Sequence, residues 1–482
     1  MISFIPRFFA VIALLVSLVS LTAKAVNEQP NILFIFADDH CYKAVNALHN
    51  KEVMTPHLDS LVERGTTFTH AYNMGAWGGA VCVASRGMLN TGLSVWRANE
   101  LLSDREASKT FVAEKKTWSQ LMSAAGYETY FSGKWHVKMN PEEMFDHVVN
   151  VRPGMPRGTP TGYNRPLADG TDPWDPADPK FGGFWAGGTH WSEVLANDGI
   201  NFLISAAKRE NPFFMYLAFN APHDPRQAPQ EYLDMYPTES IALPPGHCGE
   251  YEHNEIMGSG RKLRDEKLGT FPRTENGVRV NRREYYALIT HMDAQIGRIL
   301  EALEKSGKAD NTYVIFSADH GLGVGHHGLF GKQNMFEHSM RVPFMVVGPD
   351  VKAAAKVSQP IYLQDVMATC LDLAGAEKPD FVEFNSVRPL LTGTESFYPA
   401  VYGAYTQQQR MVAKDGFKLI LYPKGQISLL YDLKKDPEEL ENLAGNPENL
   451  PRMKQLFSEL TTLQANFADK IDLATIYPEL VE

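Results

Sequence analysis

The sequence is poor in cysteine: 482 residues contain four, at Cys41, Cys82, Cys248 and Cys370. They stand far apart, without the paired spacing that holds zinc, and are too few to frame a chain of this size with disulfides. Beyond the first 25 residues there is no apolar run long enough to span a bilayer. Bulk positive charge is missing as well. A formal net charge of −11 argues against nucleic acid, or any polyanion held by overall charge, as a partner. An anionic substrate would need a local cationic pocket. Internal repeats and low-complexity runs are absent, which excludes a solenoid or a tract of biased linker.

What is present is ordinary globular composition, 44% hydrophobic and 21% charged, with length for a large core. Arg7 precedes an apolar run from Phe8 to Leu21, and Ala23-Lys24-Ala25 places small residues at the cleavage positions. Residues 1–25 therefore read as a secretory signal peptide. The expectation is an exported protein, periplasmic or extracellular, with no membrane attachment after cleavage.

Strand and helix signals alternate, as in a parallel α/β architecture. Asn31 to Phe36 is a continuous apolar run, suited to a strand buried on both faces, and it ends at Asp38-Asp39. Pro56 to Glu63 and Thr117 to Ala125 have helical spacing. Tyr127 to Phe131 reads as a strand leading into Gly133-Lys134-Trp135-His136. Phe213 to Phe219 reads as a strand ending at Pro222-His223, and Thr312 to Phe316 as one ending at Asp319-His320. Arg283 to Lys305 reads as a long amphipathic helix. Chemically capable residues thus follow the carboxyl ends of four predicted strands, the place where open α/β sheets bind ligands. Two stretches, about 140–188 and 236–281, lack periodicity and are expected to be irregular insertions at the mouth of a site. After about residue 379 come four short strand signals, with Asp415-Gly416 as a hairpin turn, and then a charged helix from about Leu450 to Phe467.

Neighbouring carboxylates repel one another unless a cation neutralises them. Asp38-Asp39 and Asp319-His320, each closing a strand, therefore suggest a site for a hard cation, Ca2+ or Mg2+. Cys82 would open a helix, where free N–H groups and the helix dipole favour an anion. Arg86 lies one turn further on the same face.

The segment Cys82-Val83-Ala84-Ser85-Arg86, followed by Thr91-Gly92, resembles the signature of the type I sulfatases, with Ala84 where proline is usual. Gly133-Lys134-Trp135-His136, Ala221-Pro222-His223 and Gly331-Lys332 resemble further elements of that family in the same order. The likeness runs from about Asn31 to Leu443. It implies an alkaline-phosphatase-like sandwich, with a large mixed, mostly parallel sheet between helices over 26–378. A smaller C-terminal α+β domain with a short antiparallel sheet is implied over 379–482.

The resemblance also implies chemistry. In the family a formylglycine-generating enzyme oxidises the cysteine to formylglycine. Its hydrate carries two hydroxyls, one to attack sulfur and one to expel sulfate, which a thiol cannot do. By resemblance Asp38, Asp39, residue 82, Asp319 and His320 bind Ca2+. Lys134 and Lys332 clamp the sulfate, and Arg86 holds the hydroxyls or a ligand oxygen. His223 acts as leaving-group acid and His136 as base for the elimination.

The Asp-His pair, Gly187 to Trp191 and Asn220 to Gln227 resemble the iduronate-2-sulfatase-like bacterial branch that acts on sulfated polysaccharides. Because they stand beside predicted catalytic residues or in a loop expected to border the cleft, His190, Asp224 and Arg226 are expected to line the sugar subsite; the alternative for Asp224 and Arg226 is a local ion pair that fixes the loop. Two other readings stay open from the sequence. One is a phosphatase or phosphodiesterase of the same superfold. The other is a secreted glycan-binding protein without turnover, should Cys82 remain a thiol.

Overall fold

The computed structural model describes residues 29–48, 50–156, 159–167, 169–393 and 398–481. The expected signal peptide lies outside these residues. Among the described residues no helix is long and apolar enough to cross a membrane.

An eight-stranded sheet forms the centre. Its order is Ala355–Val357, Thr66–Phe68, Phe344–Val347, Thr312–Ala318, Asn31–Ala37, Phe213–Ala218, Glu128–Lys134 and His147–Arg152. Phe344–Val347 runs antiparallel to both neighbours, and the other pairings are parallel. Asn31–Ala37 is central and every residue in it is buried. Its apolar run follows from having a strand on each edge and helices on both faces. On one face Phe34 packs on Trp118, which opens the helix Trp118–Ala124, and on Tyr216 of the next strand.

Register decides what this sheet can do. Ala37 stands opposite Ala318, Phe36 opposite Ala218, and Ala218 opposite Gly133. Four neighbouring strands therefore end nearly level. The residues just past those ends, Asp319, Asp38, His223 and the terminal Lys134, are brought to one edge of the sheet.

Two expectations change. The stretch 140–188 is not wholly irregular: His147–Arg152 is an edge strand, parallel to Glu128–Lys134. Val149 and Val151 lie on the solvent side, so the strand lacked a buried apolar pattern to announce it. The long helix begins earlier than its apolar stripe, at Glu275, and runs to Lys305. Its start is set by Thr274, whose side chain accepts the Gly277 N–H and caps the first turn.

The four late strand signals form a small antiparallel sheet, Val401–Tyr405, Gln409–Lys414, Phe417–Tyr422 and Ile427–Asp432. Its hairpin turns through Asp415 and Gly416, both at positive φ (55° and 87°). The helix Leu450–Asn466 packs on this sheet. A fifth strand joins it from far upstream: Gly75–Ala76 pairs in parallel with Val401–Tyr405.

Candidate active site

Residue 82 sits in the first turn of the helix Val81–Thr91, which is buried at every position except Val83. Gly92 ends that helix at a left-handed φ of 72° and returns its N–H to Met88. The Cys82 thiol donates to Asp38 Oδ1 at 3.2 Å and lies 3.7 Å from Asp39 Oδ1. Lys332 Nζ is 3.2 Å from the sulfur and 2.6 Å from Asp39 Oδ2. The Lys134 ammonium contacts the other oxygen of Asp38. Arg86 extends under the site, with Nε 2.9 Å from Asp319 Oδ2 and Nη1 2.8 Å from the Lys134 carbonyl. Asp319 Oδ1 accepts the Asp39 N–H at 3.0 Å. Asp39 and His136 hold left-handed backbone, φ 64° and 56°, strain that concentrates at sites where geometry matters.

The electrostatics are dominated by dehydration. Burial, reinforced by Asp319, pushes both Asp38 and Asp39 up to about 6, against the pull of Lys134 and Lys332. Burial also opposes the charge on Asp319, but Arg86 and then Lys134 overcome it and hold that carboxyl below the usual range. Burial, then Asp319 and Asp38, push the Cys82 thiol well above its ordinary value. An unmodified Cys82 is therefore a protonated and poorly nucleophilic thiol. Burial and then Lys134 push His136 down to about 2. Burial and then Lys332 lower His223.

Hydrogen bonds assign the imidazoles. His223 Nδ1 faces the Asp224 carbonyl at 2.8 Å, so it carries the proton and Nε2 is turned toward Asp39 Oδ2, 3.6 Å away. His320 Nδ1 likewise donates to the Gly321 carbonyl, at 3.1 Å, which leaves Nε2 as a lone-pair donor. The residue 82 sulfur, His223, Asp38 and Asp39 each place a ligating atom within 4.8 Å of the others. That donor set, with Asp319 bonded to the Asp39 backbone, has the carboxylate content a hard divalent ion requires.

A cavity of about 560 Å³ opens over Cys82, His136, His223 and Lys332. Its remaining wall includes Gly154, Met155, Arg264, Asp265 and Gln333. Of the three residues expected to line a sugar subsite, none lies on this wall. His190 is fully buried with both ring nitrogens engaged: Nδ1 accepts the Ser192 N–H at 3.1 Å and caps the helix Trp191–Ala206, and Nε2 donates to the Gln227 carbonyl at 3.0 Å. Arg226 is buried under Tyr285 and donates to Asn281 Oδ1 at 2.7 Å. Asp224 is one layer behind the wall, accepting from the Tyr163 hydroxyl at 2.7 Å and standing 3.5 Å from Arg264. Behind this wall His190 is held by its two hydrogen bonds, from which a scaffold role is proposed for it, whereas Arg226, packed on Tyr285, keeps Nε and Nη2 buried without a partner. His190→Ala is expected to lower unfolding free energy by roughly 1–2 kcal/mol through the lost cap and hydrogen bond, with KM unchanged. Chemical denaturation beside initial-rate kinetics checks it, and a rise in KM without loss of stability would return His190 to the subsite.

Arg264, Asp265 and Gln333 were not found from the sequence. The first two lie in the stretch 236–281, which offers charge without periodicity. Gln333 follows Lys332 directly, and that adjacency was the one available signal.

Comparison with known proteins bears on the family and the fold. The sulfatase family model matches residues 30–376, and the model for the C-terminal part of N-sulphoglucosamine sulphohydrolase matches 325–466. An N-acetylglucosamine-6-O-sulfatase of Bacteroides thetaiotaomicron is 25% identical, covering 92% of this chain and 88% of the relative. A solved structure in complex with its substrate D-glucosamine-2-N,6-O-disulfate superposes with a TM-score of 0.70 at 23% identity, covering 92% of this chain and 99% of the other. The phosphonate monoester hydrolase of Silicibacter pomeroyi has the same fold, with a TM-score of 0.71 at 20% identity over 92% and 96% of the two chains. The architecture is thus the alkaline-phosphatase-like one, and it is shared with enzymes that cleave other esters.

Proposed function

The chain belongs to the sulfatase family and is a sulfuric ester hydrolase, and from that premise we propose that it removes sulfate from a carbohydrate, a sulfated polysaccharide or its oligosaccharides. One observation carries the reading: residue 82 lies between Asp38 Oδ1 and Lys332 Nζ, 3.2 Å from each. Relatives whose names and bound substrate are sulfated amino sugars support the carbohydrate class.

Charge counting supports a divalent ion. Asp38, Asp39 and Asp319 are offset by Lys134, Lys332 and Arg86. A sulfate drawing both lysines to itself leaves three carboxylates with Arg86 alone, two positive charges short of balance. Asp38, Asp39, Asp319 and His320, with residue 82, would hold Ca2+, which when bound supplies a fixed positive charge for the negative charge of the transition state. Residue 82 is proposed to act as formylglycine after the formylglycine-generating enzyme has acted. Its hydrate offers one hydroxyl to attack sulfur and a second whose electrons re-form the carbonyl and release sulfate.

The side chains divide the remaining work. Lys134, paired with Asp38, and Lys332, beside Asp39 and residue 82, would neutralise the sulfate oxygens. Arg86, fixed on Asp319, keeps the floor of the site in place. To serve as leaving-group acid His223 would have to be protonated on both nitrogens, with Nδ1–H held by the Asp224 carbonyl and the Nε2 proton passed to the leaving oxygen; Asp224 and Asp38 favour that cation against burial and Lys332. Burial and then Lys134 favour the neutral form of His136, and its buried Nδ1 has no hydrogen-bond partner. It is free to take the proton when sulfate is expelled. Export to the periplasm or beyond belongs to the same proposal.

The test uses the full chain from a host that converts the cysteine. Sulfate release is measured from a panel of sulfated oligosaccharides and, in parallel, from phosphonate monoesters. Chelation is expected to lower sulfate release by about 100-fold or more, and added Ca2+ to restore it. Turnover of the phosphonate esters with no sulfate released from any saccharide would overturn the reading.

A further inference from the structure

The small C-terminal sheet reaches the Lys332 loop through buried side chains, Lys418 on the Met335 carbonyl at 3.1 Å and Gln409 closer to the site. Gln409, at the start of the strand Gln409–Lys414, is fully buried. Its amide nitrogen donates to two backbone carbonyls, Gln333 at 2.8 Å and Met257 at 2.7 Å. Two carbonyls can be faced by an amide nitrogen and not by an amide oxygen, so the orientation of this group is set by its partners. Ser259 Oγ donates to the same Gln333 carbonyl at 2.7 Å.

Gln333 carries that restraint into the cavity. Its Oε1 accepts the Lys332 N–H at 3.0 Å. Its Nε2 donates to the Gly79 carbonyl at 3.0 Å, three residues before residue 82, and to Asp265 Oδ2 at 2.7 Å. Lys332 Nζ in turn reaches Asp39 and residue 82. The other side of the site hangs from the same sheet: Gly75–Ala76 pairs with Val401–Tyr405, and Thr406 N–H donates to the Ala76 carbonyl at 2.8 Å.

The geometry points to Gln409 as a positioning residue, through which the C-terminal sheet holds the Lys332 loop in register with residue 82. This rests on the proposed role of Lys332 as a sulfate clamp. Lysine has a long, flexible stem, and an ammonium displaced by an ångström serves the transition state poorly. The expected loss is accordingly in turnover rather than in binding.

The test is a double-mutant cycle on 4-nitrophenyl sulfate with the full, matured chain. Gln409→Leu keeps the bulk and removes both donors; it is expected to lower kcat roughly 10–100-fold with KM changed by less than about threefold. In the Lys332→Met background the same substitution is expected to cost almost nothing further, because the group it positions is gone. Multiplicative losses in the two backgrounds would mark a general structural effect and overturn the inference. So would an unchanged kcat for Gln409→Leu while Lys332→Met is impaired. If Lys332→Met is itself fully active, the clamp reading fails first, and that outcome is distinct from either of the others. Should Gln409→Leu not fold, Ser259→Ala removes the other donor on the same carbonyl. It is expected to give a smaller loss of kcat that likewise vanishes in the Lys332→Met background, and the same outcomes decide.

Discussion

Cys82→Ala is expected to lower sulfate release by roughly 10⁴-fold or more while leaving the fold intact. The asymmetry follows from where the thiol sits. Its sulfur makes long contacts with Asp38, Asp39 and Lys332, and the surrounding charges are already paired: Lys134 with Asp38, Lys332 with Asp39, Arg86 with Asp319. Deleting the sulfur removes those contacts without orphaning a charge. The expected change in unfolding free energy is therefore within about 1 kcal/mol. Cys82→Ser should be equally inactive in a host whose modifying enzyme requires cysteine. The parent protein made where no such enzyme exists should match both, because burial, and then Asp319 and Asp38, push the thiol well above its ordinary value. Mass spectrometry of the peptide carrying residue 82, set beside sulfate release, checks the series. Full activity from a protein whose residue 82 is an intact thiol would sink the formylglycine mechanism.

Asp319→Asn is expected to damage stability and activity together. The carboxylate is fully buried, as is its partner Arg86. Asparagine preserves the shape and an acceptor for the Asp39 N–H but removes the charge. Arg86 would then be a buried cation whose nearest carboxylate is Asp38, 4.0 Å away, beside Lys134 and Lys332. Breaking a buried pair from one side costs about 3–5 kcal/mol, and that is the expected loss in a denaturant titration. The pH dependence has a definite sign. The folded Asp319 carboxyl is held below its ordinary value, so its contribution is complete above that value, near 3.9, and fades as pH falls below it. The gap between parent and variant should be flat at neutral pH and narrow in acid. Sulfate release should fall at least about 100-fold, since the variant removes one of the proposed ligands of the ion. A variant as stable as the parent, or one that keeps its rate, would show that this pair does not hold the site.

Much of the site was legible because its parts are tied to strong local signals. A fully apolar strand that stops at a pair of acids announces both a central position in a sheet and a ligand at its end. Asp38 came from that rule, and Asp319, His223 and Lys134 from standing at or just past the ends of three other predicted strands. The edge strand His147–Arg152 escaped it, because an edge strand open to solvent has no need of a buried face. His190 and Arg226, both buried and off the cavity wall, mark the limit of such signals. A polar residue next to a catalytic motif looks the same in sequence whether it meets substrate or a neighbouring carbonyl.

What the sequence by itself determined is the set of reactive residues and the strands that deliver them, since hydrophobic periodicity and helix or strand termination are local properties. Which of those residues share one cavity was decided by the tertiary structure. Register levels four strand ends, and a sheet built from residues past 400 reaches back through Gln409 to steady Lys332. Hydrogen bonds of that kind join backbone groups whose positions no side-chain pattern records, and burial then turns their geometry into electrostatics.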